Sequence, residues 1–287
     1  MENVEKLINL LELEKIEENL FRGNNYQAPW KRVFGGQVLS QALYAAQQTV
    51  PEDRCAHSMH GYFILPGDIS QPIIYDVERT RDGGSFTTRR VRAIQKGQAI
   101  FSMSCSFQKE QEGYEHQVPM PQVPPPDDLL PDYEQAQTWE ATVPEFYRQI
   151  LVDRPIEFRP VEQFNPFNTT NQKPQRYIWL KAKGQVSASK ILHQAILAYA
   201  SDYNLLATAL LPHLGDVSPF DMQMATLDHG MWFHQDFDVN GWLLYALDSP
   251  SASNTRGFTR GNIFTQEGKL IASVVQEGLI RKRRKKE

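Results

Sequence analysis

Residues recur along this chain at a nearly fixed distance, and the recurrence leaves few folds open. Gly61 and Gly230 lie 169 residues apart, Tyr75 and Tyr245 170, and the pairs Arg89 and Arg260, Gly97 and Gly268, and Ile100 and Ile271 171. Offsets this steady across several strands mark a duplicated unit. Each copy reads as a strand, a helix and four strands. An antiparallel sheet wrapped around one amphipathic helix meets the need of each element to bury one side. In the first copy, residues 1–19 read as a short amphipathic helix with Leu7, Leu10, Leu11 and Ile16 on one side. A strand at Leu20–Gly23 and a turn-rich loop at 24–31 follow. The pattern VLSQALYAAQQTV then forms a helix, and period-two strands run over 57–65, 72–79, 86–95 and 99–108. The second copy has a strand at 176–182, a long helix, and strands at 222–234, 242–248, 257–265 and 269–280. Between the copies, Val118 to Pro174 holds 11 of the 18 prolines, a density that breaks regular structure. It reads as a linker with at most a short helix near 133–142. The domains expected are 1–110, a linker at 111–174, and 175–287.

The longest helical pattern, Ala188 to Leu211, carries Ile191, Ala195, Ala198, Leu205 and Leu206 on one face, and that face passes through Asp202. A carboxylate in an apolar stripe needs hydrogen-bond donors, or has its pKa moved by desolvation. Asp202 either handles a water molecule inside the sheet or caps a neighbouring turn. At the entrance of the first helix, Phe34-Gly35-Gly36-Gln37 frees backbone N–H groups at the positive end of a helix dipole. Gly35, Gly36, Gln37 and His57 are the candidate substrate contacts.

Composition narrows the rest. With 287 residues, 41% of them hydrophobic, the chain can bury a sizeable core. A net charge of -4 without long charged blocks gives no reason to expect nucleic acid as a partner. The one basic run, residues 281–286, reads as a solvated tail. Two cysteines, Cys55 and Cys105, are too few for a disulfide framework and fit a reducing compartment. No 18-residue apolar run or signal peptide is present, so no membrane partner is expected and cytoplasm is the default. No GxSxG, P-loop, GxGxxG, HExxH or CxxC motif occurs. What remains is polar groups on strands: Thr226, on the side of Met222 and Met224, and Gln276, on the side of Ala272 and Val274. Both faces of that last strand are apolar, so parity alone does not choose the inner one.

Taken together, Phe34-Gly35-Gly36-Gln37, His60-Gly61-Tyr62-Phe63-Ile64-Leu65-Pro66-Gly67-Asp68, Arg81-Asp82-Gly83-Gly84-Ser85-Phe86, Asp228-His229-Gly230-Met231-Trp232-Phe233-His234 and Val275-Gln276-Glu277-Gly278 closely resemble the acyl-CoA thioesterase II family, of the TesB type. The resemblance runs from about residue 5 to 280. It implies an α+β double hotdog, two helix-in-sheet units fused with their sheets joined. It further implies hydrolysis of fatty acyl-CoA to free fatty acid and CoA, with no metal or organic cofactor. The family's catalytic Asp, Thr or Ser, and Gln fall on Asp202, Thr226 and Gln276. Asp202 is then expected to take a proton from a water that Thr226 and Gln276 hold, with backbone N–H groups at the oxyanion. Two rivals stay open: a hydratase or dehydratase of the same fold, and an acyl-CoA-binding subunit without activity. His57, His60, His229 and His234 lie on strands beside these positions, and a structural or supporting role is expected of them. Arg90 and Arg92 project together from one strand, either toward CoA phosphate or as a solvated face. The chain ends Lys285-Lys286-Glu287 and not in Ser-Lys-Leu, which favours a bacterial cytoplasmic enzyme. A homo-oligomer, dimer or tetramer, is expected.

Overall fold

The computed structural model describes residues 3–27, 32–138, 151, 154–162, 170–187, 189–216 and 222–283. Helix α1 (Val4–Leu11) and strands β1 (Glu14–Glu17) and β2 (Leu20–Gly23) lead to helix α2 (Gly35–Gln47). Strands β3 (Arg54–Phe63), β4 (Ile73–Asp82), β5 (Phe86–Gln95) and β6 (Gln98–Lys109) complete the first unit. A one-turn helix, α3 (Asp132–Gln135), follows in the connecting segment. Strand β7 (Ile156–Pro160) lies in the same segment, and the second unit runs through β8 (Gln175–Ala182), helices α4 (Lys190–Ser201) and α5 (Leu205–Thr208), and β9 (Met222–Thr226). It ends in β10 (Asp228–Phe233), β11 (Leu243–Ser253), β12 (Arg256–Thr265) and β13 (Leu270–Lys282).

Among the described residues, 13 strands form one antiparallel sheet in the order β1-β2-β4-β5-β6-β3-β10-β13-β12-β11-β8-β7, with β9 also paired to β13. The two units meet where β3 pairs with β10, Met59 opposite Met231 and Gly61 opposite His229. Both central helices are buried on nearly every side, and the polar stripe of α2, Gln37, Ser40, Gln41 and Gln47, is buried with its hydrogen bonds made. They also touch each other. A Cβ on Gly36 would lie 2.4 Å from the Tyr199 carbonyl oxygen, so only glycine lets the α2 backbone come this near α4.

The duplication holds in detail at an offset of 170. Tyr75 and Tyr245 are both fully buried, and each pins a central helix: Tyr75 donates to Gln41 Oε1 at 2.7 Å and Tyr245 to the Ser201 carbonyl at 3.1 Å. The cross-strand pairs Glu78–Arg90 and Asp248–Arg260 are equivalent in the same way. Arg89 is therefore not the counterpart of Arg260. It points inward, completely buried, and donates to Thr49 and Asp82, whereas Arg260 pairs with Asp248 on the outer face. Gly61 and Gly230 likewise sit on opposite faces, since a Cβ on Gly61 would enter the buried Phe101 ring and one on Gly230 would meet Val275 and His60.

Other expectations shift. The first helix ends at Leu11, and Ile16 lies on β1, where it is exposed. The Pro-rich segment contains the edge strand β7, bounded by Pro155 and Pro160, where lost N–H donors cost no ladder bond to a further strand. The segment is also anchored: Trp179 Nε1 donates to the Pro124 carbonyl at 2.9 Å, and Gln117 bonds the Gly268 carbonyl and the Leu270 N–H. The expected helix at 133–142 is present as α3 and a following 3-10 turn to Thr138; its remainder lies outside the described residues. Of the basic run, Arg281 and Lys282 belong to β13, paired with Gln223 and Met222, and 284–286 lie outside the described residues. Among the described residues no helix is long and apolar enough to cross a membrane.

Candidate active site

The long helix expected at 188–211 is broken in the structure. Residue 188 is outside the described residues, α4 ends at Ser201, Asn204 takes a left-handed conformation with φ 66°, and α5 starts at Leu205. Asn tolerates that conformation, and it turns the chain so that a second short helix continues the apolar stripe through Leu205 and Leu206. Asp202 is consequently the C-cap of α4 rather than a mid-helix residue.

That position decides its electrostatics. The negative end of the α4 dipole lies beside the carboxylate, while the positive end of α2 faces it. The Gly36 N–H, one of the N-terminal donors that α2 cannot satisfy internally, donates to Asp202 Oδ2 at 2.9 Å. Gly35 packs against the same oxygen, where a Cβ would sit 2.7 Å away, and against the Phe63 ring. Asp202 Oδ1 accepts from the Thr226 hydroxyl across 3.4 Å. Desolvation outweighs both hydrogen bonds and pushes the Asp202 pKa from 3.8 up to about 6. The residue as a whole is half-buried.

Thr226 in turn accepts from Gln276 Nε2 at 2.9 Å. Gln276 is on the inner face of β13 and only 1% exposed. Its Oε1 lies 2.9 Å from His229 Nδ1, and His229 Nε2 lies 3.0 Å from the Ser201 hydroxyl. The hydrogen bonds thus leave Asp202, pass through Thr226, Gln276 and His229, and return to the residue next to Asp202 in the chain. Burial lowers the His229 pKa to about 4, against a smaller opposing effect of the Gln276 contact, so the ring is neutral.

A strand irregularity makes this ring of contacts possible. Thr226 pairs with Gly278 and Gly230 with Val275, so four steps along the β9–β10 edge span three along β13. The extra residue is a bulge at Leu227, whose N–H bonds the Glu277 carbonyl and whose carbonyl accepts from Phe63. Thr226 and His229, three residues apart, therefore face the same side and bracket Gln276. The single strand expected over 222–234 is two strands for this reason. Met224 is 38% exposed, so the apolar side expected for Thr226 does not extend along β9. The first unit repeats the bulge at His57, between the Ala56–Phe107 and Ser58–Ser106 pairs.

Asp202, Thr226, Gln276, Gly35 and Gly36 come together. Gln37 and His57 do not join them. The Gln37 side chain accepts from the Tyr26 N–H and donates to Asn24 and Asn25, holding the preceding loop. His57 packs edge-on against Phe86. His60 packs against Trp232 and His234 contacts Ser273. Arg90 and Arg92 pair across the strand with Glu78 and Asp76, a solvated face. Sequence reasoning left His229 in a general supporting group, because its inward direction depends on the bulge at Leu227. Among the described residues, no cluster of three or more His, Cys, Asp or Glu could hold a metal ion.

Comparison with known proteins agrees with this architecture. A family model described as acyl-CoA thioesterase matches residues 148–279, and one described as acyl-CoA thioesterase N-terminal domain matches residues 26–108. The chain is 44% identical over 276 residues to acyl-CoA thioesterase 2 of Haemophilus influenzae, covering 96% of each. It resembles the crystal structure of the acyl-CoA thioesterase II TesB2 of Mycobacterium marinum with TM-score 0.79 and 41% identity, over 95% of this chain and 97% of that one. A hot dog fold protein of unknown function from Alicyclobacillus acidocaldarius matches in fold, with TM-score 0.77 at 19% identity over 96% of this chain and 98% of that one. With two helix-in-sheet units joined through β3 and β10, and with a relative this similar over nearly its whole length, the chain is a double hotdog that belongs to the TesB-type acyl-CoA thioesterase family.

Proposed function

We propose that this chain is an acyl-CoA thioesterase that hydrolyses fatty acyl-CoA by direct attack of a water on the thioester, with Asp202 as general base. The reading rests on a desolvated carboxylate, its pKa raised to about 6, held between a hydroxyl and a helix N-terminus. A base of this strength is ionised at pH 7.5 and accepts a proton more readily than an ordinary aspartate. Asp202 takes one proton from water as the oxygen bonds to the carbonyl carbon. Thr226 and Gln276 hold that water, and the N-terminal turn of α2, whose Gly36, Gln37 and Val38 N–H groups are already bonded, supplies the Gly35 N–H and the helix dipole to the developing oxyanion. Collapse breaks the carbon–sulfur bond, and the proton on Asp202 passes to the departing sulfur. Acyl-CoA and water thus give fatty acid and the CoA thiol.

The dehydratase alternative calls for a His working with an Asp. His229 contacts Gln276 and Ser201 instead, and among the described residues no such pair is formed at Asp202. Supporting the same reading, residues 1–110 and 175–287 serve as the duplicated units and 111–174 as the segment between them. Two unpaired cysteines favour a cytoplasmic setting, and a dimer or tetramer of the fused pair is part of the proposal. The test is thiol release from a medium-chain acyl-CoA, followed with a thiol reagent. Wild type is expected to release thiol, and Asp202→Asn to do so at least 100-fold more slowly, roughly the worth of a general base. No thiol from the wild type, or an undiminished rate in Asp202→Asn, refutes it.

A further inference from the structure

We infer that His229 is a positioning residue for this hydrolysis: its Nδ1–H, donated to Gln276 Oε1, keeps the Gln276 amide nitrogen turned toward Thr226. The inference rests on the reading of Asp202, Thr226 and Gln276 above and adds a side chain that meets neither substrate nor water.

The direction of every bond in the ring follows from its charged end. An ionised Asp202 can only accept, so the Thr226 hydroxyl proton points to Oδ1. The Thr226 oxygen must then accept from its other neighbour, which requires Gln276 to present Nε2, as it does at 2.9 Å. Reversing the amide would set oxygen against oxygen with no proton between them. Gln276 Oε1 therefore faces His229, the Nδ1 position carries the proton, and Nε2 is left to accept from the Ser201 hydroxyl, whose single proton is shared between the ring and the Ala198 carbonyl 2.9 Å away. A primary amide has two nearly isosteric orientations, and only its surroundings distinguish them. His229, 1% exposed and neutral, supplies that distinction from the side opposite Thr226. It is held by the β10 backbone at one end and by Ser201, at the close of α4, at the other. The bulge at Leu227 is what aims it inward. In the first unit the equivalent positions at an offset of 170 are Ala56 for Thr226 and Met59 for His229, so the polar ring is built once.

The experiment measures kcat and KM for thiol release from a medium-chain acyl-CoA. His229→Leu is expected to lower kcat by about 10- to 100-fold, the range for losing a group that orients a site ligand, with little change in KM. His229→Asn, which sets an N–H near the Nδ1 position, is expected to restore most of kcat. In a Gln276→Ala background, His229→Leu is expected to change kcat no further, because its effect runs through the amide. Wild-type kcat in His229→Leu, or a full additional loss in the Gln276→Ala background, overturns the inference. If His229→Leu does not fold, His229→Asn and His229→Gln decide: Asn about 10-fold faster supports it, and equal rates overturn it. Asp202→Asn is assayed beside them. Full activity there defeats the reading of the site itself, whereas loss there together with an intact His229→Leu defeats only the role of His229.

Discussion

Replacing Asp202 by Asn is expected to make the protein more stable at neutral and alkaline pH even as it slows turnover. Burial raises the carboxyl pKa from 3.8 to about 6 in the folded chain. The folded state therefore binds more protons than the unfolded state between about pH 4 and 6, and stability is lost as pH rises through that window. Above pH 7 the penalty is complete: at about 1.4 kcal/mol per pKa unit it amounts to roughly 3 kcal/mol. Asn carries no charge to desolvate. Its oxygen can keep the Gly36 N–H bond and its amide hydrogens can reach the Thr226 oxygen, while the Thr226 hydroxyl proton, which loses its carboxylate acceptor, belongs to a half-buried residue and can turn to solvent. Spread over a chain of this length, roughly 3 kcal/mol corresponds to about 5 °C in Tm. Thermal or urea unfolding of both proteins at pH 8 and pH 5 is the assay. The gain is expected to be full at pH 8 and to shrink to roughly half at pH 5. An Asn variant less stable than wild type by the same margin at both pH values would show that Asp202 is not a desolvated acid, and the base proposed here would lose its physical ground.

Activity should follow the same group: kcat/KM is expected to rise with a single ionisation near pH 6 and level off above it, and a profile flat from pH 5 to 8 contradicts this. Gly36→Ala puts a Cβ 2.4 Å from the Tyr199 oxygen and 2.5 Å from the Phe34 ring. It is expected to cost about 1–3 kcal/mol in a melting experiment and to slow thiol release, because α2 must back away from Asp202. Arg89→Met strips the Thr49 carbonyl and hydroxyl of a buried partner. Unfolding should reveal a loss of about 3 kcal/mol, with turnover per folded molecule unchanged.

Much of the fold is legible in the sequence because the same pattern is written twice. Tyr75 and Tyr245 mark equivalent strands, and the turn glycines Gly97 and Gly268, both at positive φ, mark equivalent hairpins. The matches at Arg89 and Gly61 mislead by one residue, and in a strand one residue exchanges the inside for the outside. Asp202 stands out as a charge in an apolar stripe, but its place at a helix end does not: helical periodicity runs on through Asn204, where a single left-handed residue interrupts it. The partners of the site depend on the bulge at Leu227, and a local change of register leaves no sign in an alternating pattern. Proline density hides β7, because an edge strand tolerates what a central strand does not.

The route of the oxygen distinguishes attack by water from attack by Asp202. In a single turnover with enzyme in excess in ¹⁸O-labelled water, direct attack puts one solvent oxygen into the fatty acid and leaves the peptide bearing Asp202 unlabelled and unmodified. An acyl adduct on Asp202, or ¹⁸O in its carboxylate after one turnover, would mean that the side chain attacks the thioester itself and does not activate water.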